Sequence, residues 1–392
     1  MDILYIGSFR LPNYDAGAPR VLNNAKVFRE IGCNVNFISW GGKYRESDLC
    51  EDGLYRVDGF EYIITEELPI NAGSIINRII SKIKRGNKTL KLLSNMETKP
   101  DLIIMYNADL DFSRKILEFC NKYNIKLAND INEWHANNEL HLIDIIKNSI
   151  NMRKTQHKIL NKIVISSFFN DYYNTSNNLL VPPLCDKNEA KWSREIFDER
   201  INEFNGITFI YAGTPAKKDI ICTFLEAVNS LVKKGENIRF IILGITRENF
   251  LSCYSRYILD KEIHENIIFL GRISQDLVPA YYKKADFMVL FREPTRKSMA
   301  GFPTKIAESI TSGIPVITNS TSDIDKYIKN GVNGFVLDTY DANSLIFFLQ
   351  DVILKLGAEK LQEMKESTVK TSEYFDWHSY KESFRYFINN LR

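Results

Sequence analysis

Three stretches of this sequence gather charged, small and aromatic residues in patterns that suit chemistry. The first is "YAGTPAKKD". An apolar run that reads as a strand ends at Gly213 and Thr214, and Lys217 and Lys218 precede a helix expected to start near Asp219. An ammonium group beside free backbone N–H groups and the positive end of a helix dipole makes a phosphate site. Two lysines on a solvated surface would account for the same letters. The second stretch is "KSMAGFPTKIAESITSGIPVITNS", with a helix expected from Thr304. Gly301 lets backbone approach a bulky anion, and Pro303 gives up a donor that a helix start does not need. Phe302 and Thr304 flank that approach. Glu308, one turn further in, can accept hydrogen bonds from two neighbouring hydroxyls, as on a ribose. A lone helix glutamate is ordinarily just exposed, so the reading depends on the flanking "AGFPTK". Phosphate and ribose together imply a nucleotide.

The third stretch is "LANDINEWHANNEL", where Asp130, Glu133, Trp134 and His135 crowd a strand end. Hydrogen-bonding side chains beside an aromatic face suit a sugar ring. The spacing of Asp130, Glu133 and His135 matches no standard ligand set, so no metal is expected. His135 serves equally well as a helix cap or packing residue. Near the amino end, "AGAPRVL" sets Gly17 and Arg20 at a strand-to-helix turn, without a GxGxxG fingerprint. An anion contact and a loop glycine with a surface arginine are both open there. The "DLD" at 109–111 reads as a helix cap rather than a metal motif.

The elements that position these loops alternate. "DILYIGSF", "RVLNNAKVFREIG" and "NVNFISW" form strand, helix and strand, and the pattern recurs at "DLIIMY", "DFSRKILEFCNKYN" and "IKLAND". A second series runs from "GITFIYAG" through "IRFIILG", "IIFLG", "DFMVLF" and "IPVIT" to "GFVLD", after a candidate linker "LLVPPLCDKNEAKW". Two doubly wound parallel-sheet domains follow, their strand ends expected to face a shared cleft. The expected boundaries are 1–185 with a C-terminal helix at 373–392, and 186–372. The aromatic amphipathic run "FDWHSYKESFRYFINNL" needs a partner surface.

Composition excludes several classes. A chain of 392 residues with 44% hydrophobic content is long for one core. Its 51 basic and 49 acidic residues leave a net charge of +2, so no nucleic-acid partner is expected and any anion site is local. Six scattered cysteines form no CxxC pair, which fits a reducing cytoplasm. The start lacks a basic n-region, and no apolar run approaches a membrane span. Residues 75–92 fall in a basic, isoleucine-rich stretch that could lie on an anionic membrane surface, with a solvated helix face as the alternative.

From "GAPRVLNNAKVFREIGCNV" through "YAGTPAKKD", "FLGRISQDLVPAYYKKADFMVL", "AGFPTKIAESITSGIPVI" and "DIDKYIKNGVNGFVL" to "FDW", the chain resembles the family-four retaining glycosyltransferases of the GT-B fold. The resemblance implies two Rossmann-like domains, with the final helix crossing back onto the first. It implies a nucleotide-sugar donor on the second domain, a glycan or lipid-linked acceptor on the first, retention of configuration and no metal or other cofactor. Lys218 resembles the lysine that contacts the donor diphosphate, and Glu308 the ribose glutamate. Gly213, Thr214, Gly301, Phe302 and Thr304 would lie beside the diphosphate, with Arg272 near the base. Gly17, Arg20, Asp130, Glu133 and His135 would fall on the acceptor side, with Lys218, Glu308, Glu133 and His135 nearest the reaction. Two positions depart from the pattern. Ala300 stands where a second glutamate is usual, and Thr214 or Ala216 where an arginine is usual. A non-catalytic sugar-nucleotide-binding protein and an epimerase of the same fold are the alternative readings.

Overall fold

A computed structural model of the chain describes residues 1–67, 84–135, 142–201, 203–215, 219–258, 260 and 262–392. Lys217, Lys218 and residues 75–83 of the basic stretch lie outside the described residues. The chain divides into two compact units, Met1–Leu184 with Trp377–Arg392, and Cys185–Asp376.

In the first unit the strands are β1 (Asp2–Leu11), β2 (Asn34–Gly42), β3 (Arg56–Val57), β4 (Phe60–Ile64), β5 (Leu102–Tyr106), β6 (Lys126–Ile131), β7 (Asn161–Val164) and β8 (Asn177–Leu180). Among the described residues they form one sheet in the order β3-β4-β2-β1-β5-β6-β7-β8. Every pairing is parallel except β3 with β4. Its central strands are apolar without alternation because both faces are covered. Successive residues divide between two cores: Ile3, Tyr5, Leu102 and Ile104 join one, and Leu4, Ile6, Ile103 and Met105 the other.

Helix α1 (Gly17–Glu30) follows β1, and α2 (Leu110–Tyr123) follows β5. Asp109 caps α2, its carboxylate accepting from the Phe112 N–H at 3.0 Å, so the "DLD" is the cap that the sequence indicated. Helix α3 (Leu142–Ile150) comes after β6. "LLVPPL" is less of a linker than it reads. It begins within β8, and Val181 and Leu184 are buried in the first unit's core.

The second unit holds β9 (Ile207–Tyr211), β10 (Ile238–Leu243), β11 (Ile267–Gly271), β12 (Phe287–Leu290), β13 (Val316–Asn319) and β14 (Gly334–Leu337). Among the described residues these form an all-parallel sheet in the order β11-β10-β9-β12-β13-β14. Helix α4 (Cys222–Lys233) follows β9, and the short α5 (Arg296–Ala300) and α6 (Thr304–Thr311) follow β12.

Helix α7 (Lys381–Asn389) returns the chain to the first unit. Phe384 and Phe387 are buried there, and the Phe384 ring sits 4.7 Å edge-on from Phe28 of α1. The main-chain carbonyl of Phe387 accepts from Asn177 of β8 at 3.0 Å. The aromatic face read in the sequence thus has its partner. Its first turns, Trp377–Tyr380, are 3-10 rather than α-helical.

Candidate active site

In the second unit, the end of β9 and the segment after β12 converge on one carboxylate. The helix expected near Asp219 begins three residues later, at Cys222, and Asp219 itself is buried at 6% exposure. The backbone holds it there, because Ile220 donates its N–H to the Phe291 carbonyl at 2.8 Å. Arg292 Nε donates to Asp219 Oδ1 at 2.8 Å, Lys305 Nζ to Oδ2 at 2.8 Å and Tyr211 Oη to Oδ2 at 2.7 Å. Burial pushes this carboxyl up, but Lys305 and Arg292 outweigh it and hold the pKa at about 2. Two cations around one carboxylate leave a formal charge of +1. Burial and the neighbouring carboxylate hold the Tyr211 hydroxyl well above its ordinary pKa, so it stays protonated and donates.

Lys305 is the second residue of α6, whose N-terminus at Pro303 has no side-chain cap. Its ammonium lies 4.2 Å from the Tyr211 ring centre. Glu308 is one turn further along the same helix and half-buried. Burial raises its pKa, with Lys191 and Lys305 pulling the other way. The ends of three strands run side by side here: Gly213 N–H donates to Leu243 O at 3.2 Å and Gly244 N–H to Gly271 O at 2.7 Å. This brings Gly213, Thr214 and the exposed Arg272 to the carboxyl edge of the sheet, where open α/β sheets bind ligands.

In the first unit, Arg20 and Asp130 bind each other. Arg20 Nη2 and Nε reach Asp130 Oδ1 at 2.7 and 2.9 Å, and Nη1 donates to the Val181 carbonyl at 3.1 Å. Tyr5 and Asn24 donate to Asp130 Oδ2 at 2.5 and 3.1 Å. Arg20 is 4% exposed and Asp130 0%. Beside this network, the C-terminal ends of β5 and β6 and helices α2 and α3 enclose a cavity of about 230 Å³ lined in part by Glu133 and His135.

Residues 193–370 match the family model described as "Glycosyl transferases group 1". That match lies within the second unit. An uncharacterized 41.2 kDa protein in the cps region of Klebsiella pneumoniae is 22% identical over 157 residues, covering 35% of this chain and 42% of that relative. Sucrose-phosphate synthase from Thermosynechococcus elongatus superposes with a TM-score of 0.70 at 13% identity, over 99% of this chain and 98% of that one. Anabaena HepE in complex with UDP and glucose superposes at 0.69 with 12% identity, over 99% of both chains. At these identities the likeness carries the fold, which is GT-B.

Within the second unit, the structure brings Gly213, Thr214, Thr304, Glu308 and Arg272 to the sheet edge or its flanking helix. Phe302 is instead a packing residue. It is buried, with Tyr327 edge-on at 5.5 Å and Phe375 at 5.9 Å, so its ring fixes the loop before α6. Gly301 is extended, at φ −92° and ψ 164°. In the first unit, the expected roles of four residues are corrected. Asp130 has no accessible surface and Arg20, 4% exposed, is already bound to it, so both position the fold rather than meet a ligand. Gly17 opens α1 against Tyr106, and a Cβ there would lie 2.9 Å from the tyrosine oxygen. The α1 N-terminus is already filled, since Asp15 accepts from the N–H groups of Gly17 and Ala18 at 3.0 and 3.1 Å. Trp134 is buried among Phe168, Phe169 and Tyr172, so its ring packs instead of offering a face to a sugar.

Sequence reasoning missed Asp219, Arg292, Lys305 and Tyr211. For Lys305 a signal existed: the same helix start that nominated Thr304 puts a lysine next, one turn before Glu308. The others come together only through the pairing of β9 with β12.

Proposed function

We propose that the chain is a retaining, metal-independent glycosyltransferase. In this reading it moves a sugar from a nucleotide-sugar donor on the second unit to a hydroxyl of a glycan or lipid-linked saccharide on the first, in cell-surface polysaccharide synthesis. The observation that carries the reading is that the group 1 match, residues 193–370, contains the Asp219, Arg292 and Lys305 cluster together with Glu308. The cps-region relative favours a polysaccharide product, and the UDP and glucose held by HepE make a UDP-sugar the first donor to test.

The chemistry follows from where charge develops. The leaving nucleoside diphosphate gains negative charge while the anomeric carbon becomes positive. Lys218, the uncapped start of α6 and the cationic cluster around Asp219 stabilise the first charge. Glu308 holds the ribose hydroxyls. Lys305 takes up part of the task left by the arginine missing at Thr214. The protein works at the cytoplasmic face of the membrane, with residues 75–92 against anionic lipid. Among the described residues no helix is long and apolar enough to cross a membrane.

A thermal-shift panel of UDP, GDP, ADP and TDP sugars tests the donor, since ligand at 100 times its Kd stabilises by about 2.7 kcal/mol. Lys218→Ala and Glu308→Ala each abolish the shift with the fold intact; unchanged affinity in both would remove the assignment. Transfer with the responding donor proceeds in EDTA and gives a product of unchanged anomeric configuration by NMR. An inverted product would refute retention.

A further inference from the structure

Helix α3 is rich in apolar residues that the fold leaves uncovered. Five of its nine residues are leucine or isoleucine, yet none of the nine is buried. Leu142, Ile143 and Ile146 are 74%, 64% and 53% exposed. The helix runs on without a break through a π turn, Asn151–Thr155, and a 3-10 turn, Gln156–Lys158. Its inner side is fixed there: Met152 is buried, Asn151 donates to the Ala108 carbonyl at 2.7 Å and Gln156 to Ser113 Oγ at 3.1 Å. Lys147 Nζ, 2.6 Å from Asp111, ties α3 itself to α2. The apolar side chains thus project from a supported helix, and exposed apolar patches of this kind mark contact surfaces.

The outer side changes character along its length. Leu142, Ile146, Arg153 and His157 fall at helical offsets of 0, 4, 11 and 15, so cationic residues follow apolar ones along one stripe. Arg153, Lys154 and Lys158 are exposed, and among the described residues none of the three is in an ion pair. Burial pulls the His157 pKa down, so it adds no charge near neutrality. The sole acid between residues 142 and 160 is Asp144, which is half-buried. Apolar turns leading into an uncompensated cationic end suit the boundary of an anionic bilayer, where acyl chains take the first and headgroups the second. A second copy of the chain would bring the same cations to the contact, and an apolar groove would leave them unpaired.

We propose that the outer side of residues 142–158 docks on an anionic lipid surface, with Leu142, Ile143 and Ile146 among the acyl chains and Arg153, Lys154 and Lys158 on the headgroups. This contact goes beyond the transferase reading and is separate from the one assigned to residues 75–92. Through Asp144, Lys147 and Asn148 the same helix lines the cavity at the carboxyl ends of β5 and β6, so docking holds that cavity at the height of the headgroups. Cosedimentation of the full chain with vesicles of equimolar phosphatidylcholine and phosphatidylglycerol, and of phosphatidylcholine alone, tests it without donor or acceptor. The wild type pellets with the mixed vesicles and binds the neutral ones about tenfold more weakly. Leu142→Ser/Ile143→Ser/Ile146→Ser weakens binding to the mixed vesicles about tenfold, and Arg153→Gln/Lys154→Gln/Lys158→Gln does the same at low salt. The single Ile143→Asp, at an exposed position, stands in if the triple serine variant fails to fold, and it too weakens binding. A wild type that ignores the mixed vesicles, binding that none of these variants weakens, or a loss confined to Lys82→Glu/Lys84→Glu would overturn the proposal. So would a dimer that the triple serine variant dissociates in analytical ultracentrifugation, since the face would then belong to a second copy. Vesicle binding and the UDP-sugar thermal shift are read separately, so failure of this inference leaves the transferase reading standing and failure of that reading leaves this one.

Discussion

Gly213 and Lys305 share one space: a Cβ on Gly213 would lie 2.6 Å from Cε of Lys305 and 3.0 Å from its Nζ. Gly213 also has φ +121°, a conformation that side chains of L-residues rarely adopt. The glycine at the end of β9 therefore lets the lysine of α6 reach Tyr211 and Asp219. Gly213→Ala should displace the flexible end of the lysine and leave the sheet standing. We expect UDP-sugar affinity by calorimetry to fall about tenfold, roughly 1.4 kcal/mol. Lys305→Met should lose at least as much. The double variant should be no worse than Lys305→Met, because the glycine acts through the lysine. Additive losses would refute that dependence.

Asp219 is the counter-ion of a buried arginine and a half-buried lysine, and removing it should be felt in stability before activity. Asp219→Asn leaves Arg292 and Lys305 facing a neutral amide, at a cost of about 3–5 kcal/mol in urea unfolding at pH 7. The pH dependence carries a sign. The folded carboxyl titrates at about 2, below its ordinary value of 3.8, so its stabilisation is complete above that value and is lost as pH falls through 2. The wild type should lose stability in that acid window and the variant should show less of the loss. Parallel curves would show that the pair contributes little.

The two-unit α/β architecture was legible because both sheets are parallel and buried on both faces, which writes strands as short apolar runs between amphipathic helices. "DILYIGSF" and "IRFIILG" carry that signature unaided. Strand β7, "NKIV", does not, since Asn161 and Lys162 make half of it polar. Glu308 was found because its signal is local, set one turn into a helix that begins after Gly301 and Pro303. Asp219 with Arg292 was not, because 73 residues separate the partners and only sheet order joins them. Arg20 and Asp130 were read as open to ligand for the same reason: nothing near either residue in sequence reveals that the other neutralises it.

That pair invites a cycle. Arg20→Met or Asp130→Leu alone strands a buried charge, and each should cost about 3–5 kcal/mol in unfolding free energy. The double variant removes both charges and should recover a large part of the loss, giving a coupling energy above about 1 kcal/mol. Additive costs would mean that Tyr5, Asn24 and the Val181 carbonyl, rather than the ion pair, hold this site together.

Lys162 gives the sharpest test of how burial sets charge. It sits in β7 at 0% exposure, its ammonium nitrogen donating to the main-chain carbonyls of Gln156, at 2.8 Å, and Ile159. No carboxylate pairs with it among the described residues, and burial pulls its pKa from 10.5 down to about 7. Between about pH 7 and 10 the unfolded chain therefore binds a proton that the folded chain does not, and stability from this residue rises with pH, by up to about 1.4 kcal/mol per unit. Buried thiols act in the opposite sense, since Cys120 and Cys185 are both pushed up to about 12. The difference between wild type and Lys162→Met isolates the lysine, because the thiols are common to both. Urea unfolding at pH 7.0, 8.0 and 9.0 should show the variant gaining most over wild type at pH 7.0 and progressively less as the pH rises. A difference that stays constant across that range would mean that Lys162 keeps its charge inside the sheet.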